Sequence, residues 1–261
     1  MKIKEVLCAL EQFAPLPLQE DWDNAGLPVG LTEADVSGAL LCLDVNENII
    51  DEAVRKQCNL VVAHHPLLFK GLKTISDADY VQRTVMKAIM NKVVVVAMHT
   101  NMDNANGGVN YKIAEKLKLQ DVKFFATMQR AGTEAGSGVI GQLEKEMTAV
   151  ELMDELKSVF HTSVVKGNEL LKRPIRKVAI CGGAGDFLLQ QAIDEGADAF
   201  ITGEMHYHVY FGHEQQLQIA VIGHYESEQF TAEIFRDIIS NAWPQLPIFI
   251  AETNTNPVNN Y

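Results

Sequence analysis

Two histidine–acid pairs, His99 with Asp103 and His224 with Glu228, share one spacing and fall at matching places in the two halves of the chain. A third element, His64-His65-Pro66, closes the strongly apolar run Leu60-Val61-Val62-Ala63. Neutral imidazole nitrogen together with anionic carboxylate oxygen is what a divalent cation takes as ligands. These groups outnumber the three protein ligands of a mononuclear catalytic zinc. The excess points to two ions, and so to metal-assisted hydrolysis.

The positions of these residues matter as much as their types. Apolar periodicity predicts a helix over Lys2–Phe13, closed by Pro15 and Pro17, and further helices over Glu47–Lys56, Asp77–Met90 and Gly107–Leu119. Short continuous apolar runs at Gly38–Leu43, Leu60–Ala63 and Val93–Met98 read as buried strands between them. Strands are also expected at Gly138–Leu143, Lys177–Cys181, Ala199–Thr202, Leu217–Ile222 and Pro247–Ala251. Thr148–Phe160, Phe187–Glu195 and Glu226–Ser240 read as helices. Apolar strands alternating with helices predict an α/β fold with mostly parallel sheets covered on both faces. In such sheets ligands bind at the carboxyl ends of the strands. His64-His65, His99, the segment Gly203-Glu204-Met205-His206-Tyr207-His208, and His224 all follow predicted strands.

The halves align without gaps over one long stretch. Ala53-Val54 falls on Ala192-Ile193, and Leu60-Val61-Val62-Ala63 falls on Ala199-Phe200-Ile201-Thr202, a constant offset of 139 residues. After a shorter crossover the offset becomes 125, which places His99 on His224 and Asp103 on Glu228. An internal duplication and the generic similarity of strand-helix-strand units both account for this. The loop-like stretch Gly132-Thr133-Glu134-Ala135-Gly136-Ser137-Gly138 marks a boundary. The expected domains are therefore a first lobe over residues 1–130 and a second over 131–261, with the strand near 247–251 free to pack back on the first.

Each element also has a plainer reading. His64 and His65 are either ligands or satisfied core histidines; on an extended segment held by Pro66 their rings would point to opposite faces, one for each ion. Asp103 and Glu228 are either ligands or helix N-terminal acids favoured by the helix dipole. His99 is either a ligand or an outer-sphere group that orients one. His206 and His208 share a side if their segment is extended, and either moves protons or sits on a polar rim. His161 and His213 have no partner in the pattern and read as surface residues. Cys181-Gly182-Gly183-Ala184-Gly185-Asp186, between a strand and a helix, is a weak anion cradle or a tight turn. Asp21-Trp22-Asp23-Asn24-Ala25-Gly26-Leu27 is a substrate-facing wall or a packed Ω-loop.

Composition limits the choice of function. The chain has 261 residues, 47% apolar and 21% charged, which suits one large globular domain or two modest ones. A net charge of −12 argues against nonspecific binding of nucleic acid or anionic membrane. It leaves room for a phosphorylated small molecule, because a bound metal supplies positive charge locally. Cys8, Cys42, Cys58 and Cys181 have no C-x-x-C spacing, and Cys42 reads as a small core residue. No apolar run approaches the ~18 residues of a membrane span. Nor does the N-terminus resemble a signal peptide, so a cytoplasmic protein is expected.

With these residues identified, the chain resembles the NGG-one-interacting-factor-three-like family. That family is also called the dinuclear metal centre family and is labelled a GTP cyclohydrolase type-two homologue. The matching stretches are Trp22-Asp23-Asn24-Ala25-Gly26-Leu27-Pro28-Val29-Gly30, Val61-Val62-Ala63-His64-His65-Pro66-Leu67, His99-Thr100-Asn101-Met102-Asp103 with Gly107-Gly108-Val109-Asn110, Ile201-Thr202-Gly203-Glu204, and Gly223-His224 with Glu228. They run from the first loop to the last helix. About sixty residues separate Leu119 from Cys181, which resembles the short form without an inserted middle domain. Gly223-His224-Tyr225-Glu226-Ser227-Glu228 departs from the usual Ala-Thr before the glutamate but keeps both ligands.

The resemblance implies two similar αβα lobes with the metal site at their seam, assembled as a homohexamer. It implies two divalent ions held by His64, His65, Asp103, His224 and Glu228, with mixed N/O ligation compatible with Zn, Fe, Mn or Ni. His64, Asp103 and Glu228 would hold one ion; His65, His224 and Glu228 would hold the other. His99 or His208 would move protons. The expected activity is hydrolysis of a small substrate, nucleotide or phosphorylated. The alternative is a metal-handling assembly protein or partner scaffold.

Overall fold

The computed structural model describes residues 1–130 and 132–260. Ala131, where the expected boundary falls, and Tyr261, the end of the expected second lobe, lie outside them. The chain opens with helix α1 (Ile3–Phe13), whose Ile3, Val6 and Leu10 are buried. Strand β1 (Gly26–Val29) and strand β2 (Ala39–Cys42) follow, then helix α2 (Glu47–Arg55) and strand β3 (Leu60–Ala63). Asn46 caps α2, its Oδ1 accepting from the backbone N–H groups of Asn48 (3.0 Å) and Ile49 (3.1 Å). Helix α3 (Tyr80–Met90), capped by Asp79, leads to strand β4 (Val94–Ala97) and the single turn α4 (Thr100–Asp103).

Helix α5 (Val109–Lys116) and strand β5 (Gln120–Phe124) begin a second compact unit. Strands β6 (Thr127–Arg130) and β7 (Thr133–Gly136) pair antiparallel, and β7 lies within the Gly132–Gly138 stretch expected to be a loop. Strand β8 (Val139–Met147) and helix α6 (Ala149–Phe160) follow. Thr148 and Glu151 form a reciprocal capping box at the start of α6. Then come β9 (Lys166–Gly167), β10 (Ile175–Cys181), α7 (Leu189–Asp194), β11 (Ala199–Thr202), β12 (Gln218–Val221) and the short helix α8 (His224–Glu228). The chain finally returns to the first unit through helix α9 (Thr231–Ala242) and strand β13 (Ile248–Ile250).

The first unit comprises residues 1–105 and 231–257, and the second comprises 106–230 and 258–261. Its boundaries therefore differ from 130/131. The reason lies in strand pairing: β13 joins β2 in parallel, and α9 packs on α1, β2 and β13. The helix expected over Glu226–Ser240 divides at Gln229, whose side-chain amide donates to the carbonyls of Glu226 and Phe160 and closes α8.

The first sheet has the order β1-β4-β3-β2-β13, with all neighbours parallel except β1. Every residue of β2, β3 and β4 is buried, so helices must cover both faces. The second sheet, β5-β8-β10-β11-β12-β9, keeps a parallel centre of β10, β11 and β12 flanked by antiparallel strands. Those flanks are why it is mixed rather than mostly parallel. β5 is largely exposed and carries no apolar run from which to infer its pairing. No helix among the described residues is long and apolar enough to cross a membrane.

The ladders show how far the halves match. Ala39 pairs with Leu60, and Val178 pairs with Ala199, which keeps the offset of 139. Leu60 pairs with Val94, and Ala199 with Gln218, so the third strands are offset by 124 rather than 125. One extra residue therefore separates β12 from His224.

Glu52, buried on α2, holds the returning chain. Its carboxylate accepts from the N–H groups of Glu252 (2.9 Å) and Thr253 (3.0 Å) and from the Thr253 hydroxyl (2.6 Å). Burial pushes its pKa up, but these donors and the Lys56 ammonium outweigh burial and hold it below the usual range. A depressed folded-state pKa adds stability above the carboxylate range, and that stability is lost as pH falls through it. Glu52→Gln should cost about 2 kcal/mol at neutral pH in urea unfolding. The wild-type advantage should narrow as pH falls from about 5 to 3.

Candidate metal centre

In the first unit, the carboxyl ends of β3 and β4 bring three imidazoles together. His64 is fully buried, and its Nδ1 lies 2.9 Å from the Met98 carbonyl. A carbonyl only accepts, so Nδ1 carries the proton and Nε2 presents its lone pair. Nδ1 of His65 lies 2.7 Å from Oδ1 of Asp44, and Nδ1 of His99 lies 2.7 Å from Oδ1 of Asp23. Each ionised carboxylate selects the same tautomer for its histidine. The ring centroids are 5.0, 5.2 and 5.4 Å apart, and the three histidines can offer ligand atoms within 4.8 Å of one another. Neutral imidazoles backed by a carbonyl or carboxylate are the donor set of a divalent cation. The residues therefore fit a metal.

The two neighbouring rings do not diverge to opposite faces as an extended strand would require. β3 ends at Ala63, and His64 and His65 form a bend in which strand alternation no longer applies. Asp103 closes the turn of α4 and places Oδ1 3.5 Å from His64 Nε2. Asp103 thus stands beside the Nε2 lone pair of His64.

Asp23 does more than line a loop. It accepts from His99, from the Thr100 N–H (3.0 Å) and hydroxyl, and from the Asn24 N–H (2.6 Å). Burial favours its neutral form, yet these hydrogen bonds hold its pKa at about 2. Trp22 and Phe69 stand edge-on to His99 at 5.8 and 5.5 Å, and both keep much of their surface exposed. The Asn24 amide ties the two loops by donating to the Leu68 carbonyl. The Trp22-Asp23-Asn24 stretch is therefore an orienting wall for His99.

In the second unit, α8 sets His224 between two carboxylates. Nε2 lies 3.2 Å from Oε2 of Glu228, and Nδ1 lies 3.1 Å from Oε1 of Glu204. Glu228 is buried although it is anionic in kind, which is costly unless a cation or donors compensate. Gly183, at φ +59°, allows the preceding loop to approach; a Cβ there would stand 2.4 Å from Glu228 Oε1. Three of the loop's amides are already committed. Gly182 N–H donates to Asn110 (2.8 Å), Gly183 N–H to Ser227 (3.0 Å) and Gly185 N–H to Thr202 (3.1 Å). The Cys181–Asp186 stretch is thus a braced turn rather than an anion cradle.

The extra residue before His224 corrects the symmetric pairing of the two motifs. His99 is the N-cap of α4, and its ladder equivalent is Gly223, the N-cap of α8. His224 therefore corresponds to Thr100, and Glu228 to Asn104. Gly223 has φ +109°, and a Cβ there would lie 2.0 Å from Glu226 Oε2, so glycine is required.

His206 and His208 do not share a side, because Tyr207–Tyr210 forms a 3-10 turn. His206 is exposed and bonded to Asp186, whose hydrogen bond and charge raise its pKa. His208 is exposed, with its ring against Tyr207 and Phe211 at 5.3 and 6.3 Å. His161 is an exposed left-handed C-cap of α6, and His213 is half-buried and bonds Gln216. Asp23 and Asp44 were not singled out from the sequence as histidine partners, since they act on rings 76 and 21 residues away.

Comparison with known proteins gives consistent matches. The family model described as Duf34/NIF3 (NGG1p interacting factor 3) matches residues 1–257. A Clostridium acetobutylicum protein named "GTP cyclohydrolase 1 type 2 homolog" is 33% identical, covering 98% of both chains. A solved Staphylococcus aureus protein superposes with a TM-score of 0.92 at 24% identity, covering 100% of this chain and 99% of its own. A Bacillus cereus protein described as related to NIF3 gives 0.89 at 23% identity, with 100% and 99% coverage.

The tautomers are directly measurable. Nitrogen-15 spectra of histidine-labelled, metal-stripped protein at neutral pH should show His64, His65 and His99 protonated at Nδ1 and bare at Nε2. Zinc should shift the Nε2 signals without changing tautomer. Asp23→Ala should release His99 alone, and an Nε2–H form of His64 in the wild type would contradict the arrangement.

Proposed function

Because the chain belongs to the Duf34/NIF3 family, we propose that it is a dinuclear metal-dependent hydrolase acting on a small substrate, with nucleotides and phosphorylated compounds as the first class to test. The ligands proposed are His64, His65 and Asp103 from the first unit and His224 and Glu228 from the second. His64, Asp103 and Glu228 would hold one ion, and His65, His224 and Glu228 the other, with Glu228 shared. The observation that carries this reading is the common tautomer of the clustered histidines, each with Nδ1 tied to an acceptor. Bound there, the two cations would supply Lewis acidity, water activation at neutral pH and positive charge for an anionic substrate.

The remaining roles fall to the protein. Asp44 and Asp23 hold their imidazoles in orientation. His99, next to the other two rings and paired with Asp23, is suited to moving a proton. His208 is the second proton-transfer candidate, though its exposed turn gives it weaker support. Trp22 and Phe69 would exclude water from one side of a bound substrate. The name carried by the relative motivates GTP among the substrates, and mixed N/O ligation is compatible with Zn, Fe, Mn or Ni. A cytoplasmic homohexamer completes the proposal, and sedimentation velocity tests its assembly.

A second reading, a non-catalytic metal-handling protein or scaffold, draws support from the amides of Gly182, Gly183 and Gly185, which donate within the protein rather than to a phosphate. Elemental analysis and turnover of point variants separate the two. The hydrolase reading expects about two equivalents of metal. It also expects His65→Ala to lose metal and activity, and His99→Gln to keep metal while losing at least 10²-fold in kcat. His208→Ala should lose activity only if it is the proton carrier. Protein that holds its metal yet leaves GTP, other nucleotides and phosphoesters intact with Zn, Mn, Fe or Co favours the second reading.

A further inference from the structure

The segment after β13 reaches the histidine cluster through a relay. In the first sheet β13, β2 and β3 are neighbours and parallel, so their carboxyl ends lie in a row. Asp44 stands two residues beyond Cys42 at the end of β2. His65 stands two residues beyond Ala63, the ladder partner of Cys42. Asp44 Oδ1 is engaged by His65 Nδ1 at 2.7 Å, and Asp44 Oδ2 accepts the Thr255 hydroxyl at 2.8 Å. Thr255 lies just past β13 on a segment pinned by Glu52 through the N–H groups of Glu252 and Thr253 and the Thr253 hydroxyl.

We infer that Thr255 is a positioning residue for the metal site: its hydroxyl locks the Asp44 carboxylate, which in turn aims His65 Nε2. This rests on the proposed reading of His65 as a ligand. A carboxylate held at one oxygen still rotates about the Cβ–Cγ bond, and the imidazole it supports rotates with it. Held at both oxygens it has one orientation, so the ligand is pre-aimed. Partners outside the ligand shell change metal affinity by about 10–100-fold when removed. Thr255 acts one step further out, and about 3–10-fold is expected on the same scale. Glu52 carries the anchoring of the segment separately, so losing one hydroxyl leaves the strap in place.

The test titrates full-length, metal-stripped protein with Co(II) alone, following the visible d–d bands and the binding isotherm. Thr255→Val should weaken Co(II) binding about 3–10-fold and alter the bands, with the thermal midpoint of the metal-free protein little changed. Thr255→Ser, which keeps the hydroxyl, should restore both. In an Asp44→Ala background, Thr255→Val should have no further effect. Wild-type affinity in Thr255→Val overturns the inference, as does a serine variant no better than valine or an undiminished effect without Asp44. If Thr255→Val does not fold, Thr255→Ala, which also removes the hydroxyl, is titrated in its place, alone and with Asp44→Ala, against the same outcomes. A wild-type chain that binds no Co(II) would instead overturn the metal reading on which the inference rests.

Discussion

An enclosed neutral imidazole must place its single N–H proton on one ring nitrogen, and in His64 the sheet decides which. Its Nδ1 meets the Met98 carbonyl, which is in place because the Met98 N–H extends the β3–β4 ladder onto Ala63 at 2.9 Å. The backbone N–H of His65 likewise bonds the Leu43 carbonyl at 2.9 Å, past the end of β2. Strand register therefore writes the tautomer, and the tautomer writes the donor set. A one-residue slip in the β3–β4 pairing would move every buried side chain of the strand to the other face and remove the acceptor opposite the ring.

From this constraint the surrounding features follow as supports. Asp44 and Asp23 repeat for His65 and His99 what the Met98 carbonyl does for His64. Each carboxylate is itself held, Asp23 by Thr100 and Asn24, and Asp44 by Thr255. The first unit thus builds its cluster from the ends of β2, β3 and β4 and from two loops. The second unit uses different means to place His224 beside Glu228: a short helix, a glycine turn and a serine that bonds both the loop and the His224 carbonyl.

The strands that carry the site were legible in the sequence because they are buried on both faces, so Leu60–Ala63, Val94–Ala97 and Ala199–Thr202 read as unbroken apolar runs. His64-His65 and His99 were visible because they sit just after such runs, as His224 does after Gln218–Val221, and Asp103 because its spacing from His99 repeats that of Glu228 from His224. Elements with exposed or mixed faces, such as β5 and β9, left little pattern to read. Strand β7 hid in a glycine-rich stretch. Asp23 and Asp44 were illegible as partners because their contacts depend on loop geometry and strand order rather than spacing. The equivalence of His99 with His224 failed for a local reason: an alignment by histidine passes over the single extra residue that the ladder exposes. Duplication of the supersecondary plan and duplication of the ligands are separate matters, and here the first does not entail the second.

The return of α9 and β13 to the first sheet has a consequence for the order in which the protein can be made. Residues 1–105 emerge from the ribosome early, yet the strand that flanks β2 and the segment that braces Glu52 and Asp44 emerge after residue 230. The histidine cluster is translated well before the support of one of its members. A nascent chain therefore presents His64, His65 and His99 on a sheet that still has an open edge. Closure of that edge and the hydrogen bond from Thr255 to Asp44 both wait for residues that follow 230, so the carboxylate behind the His65 ring gains this partner only after the second unit has been made.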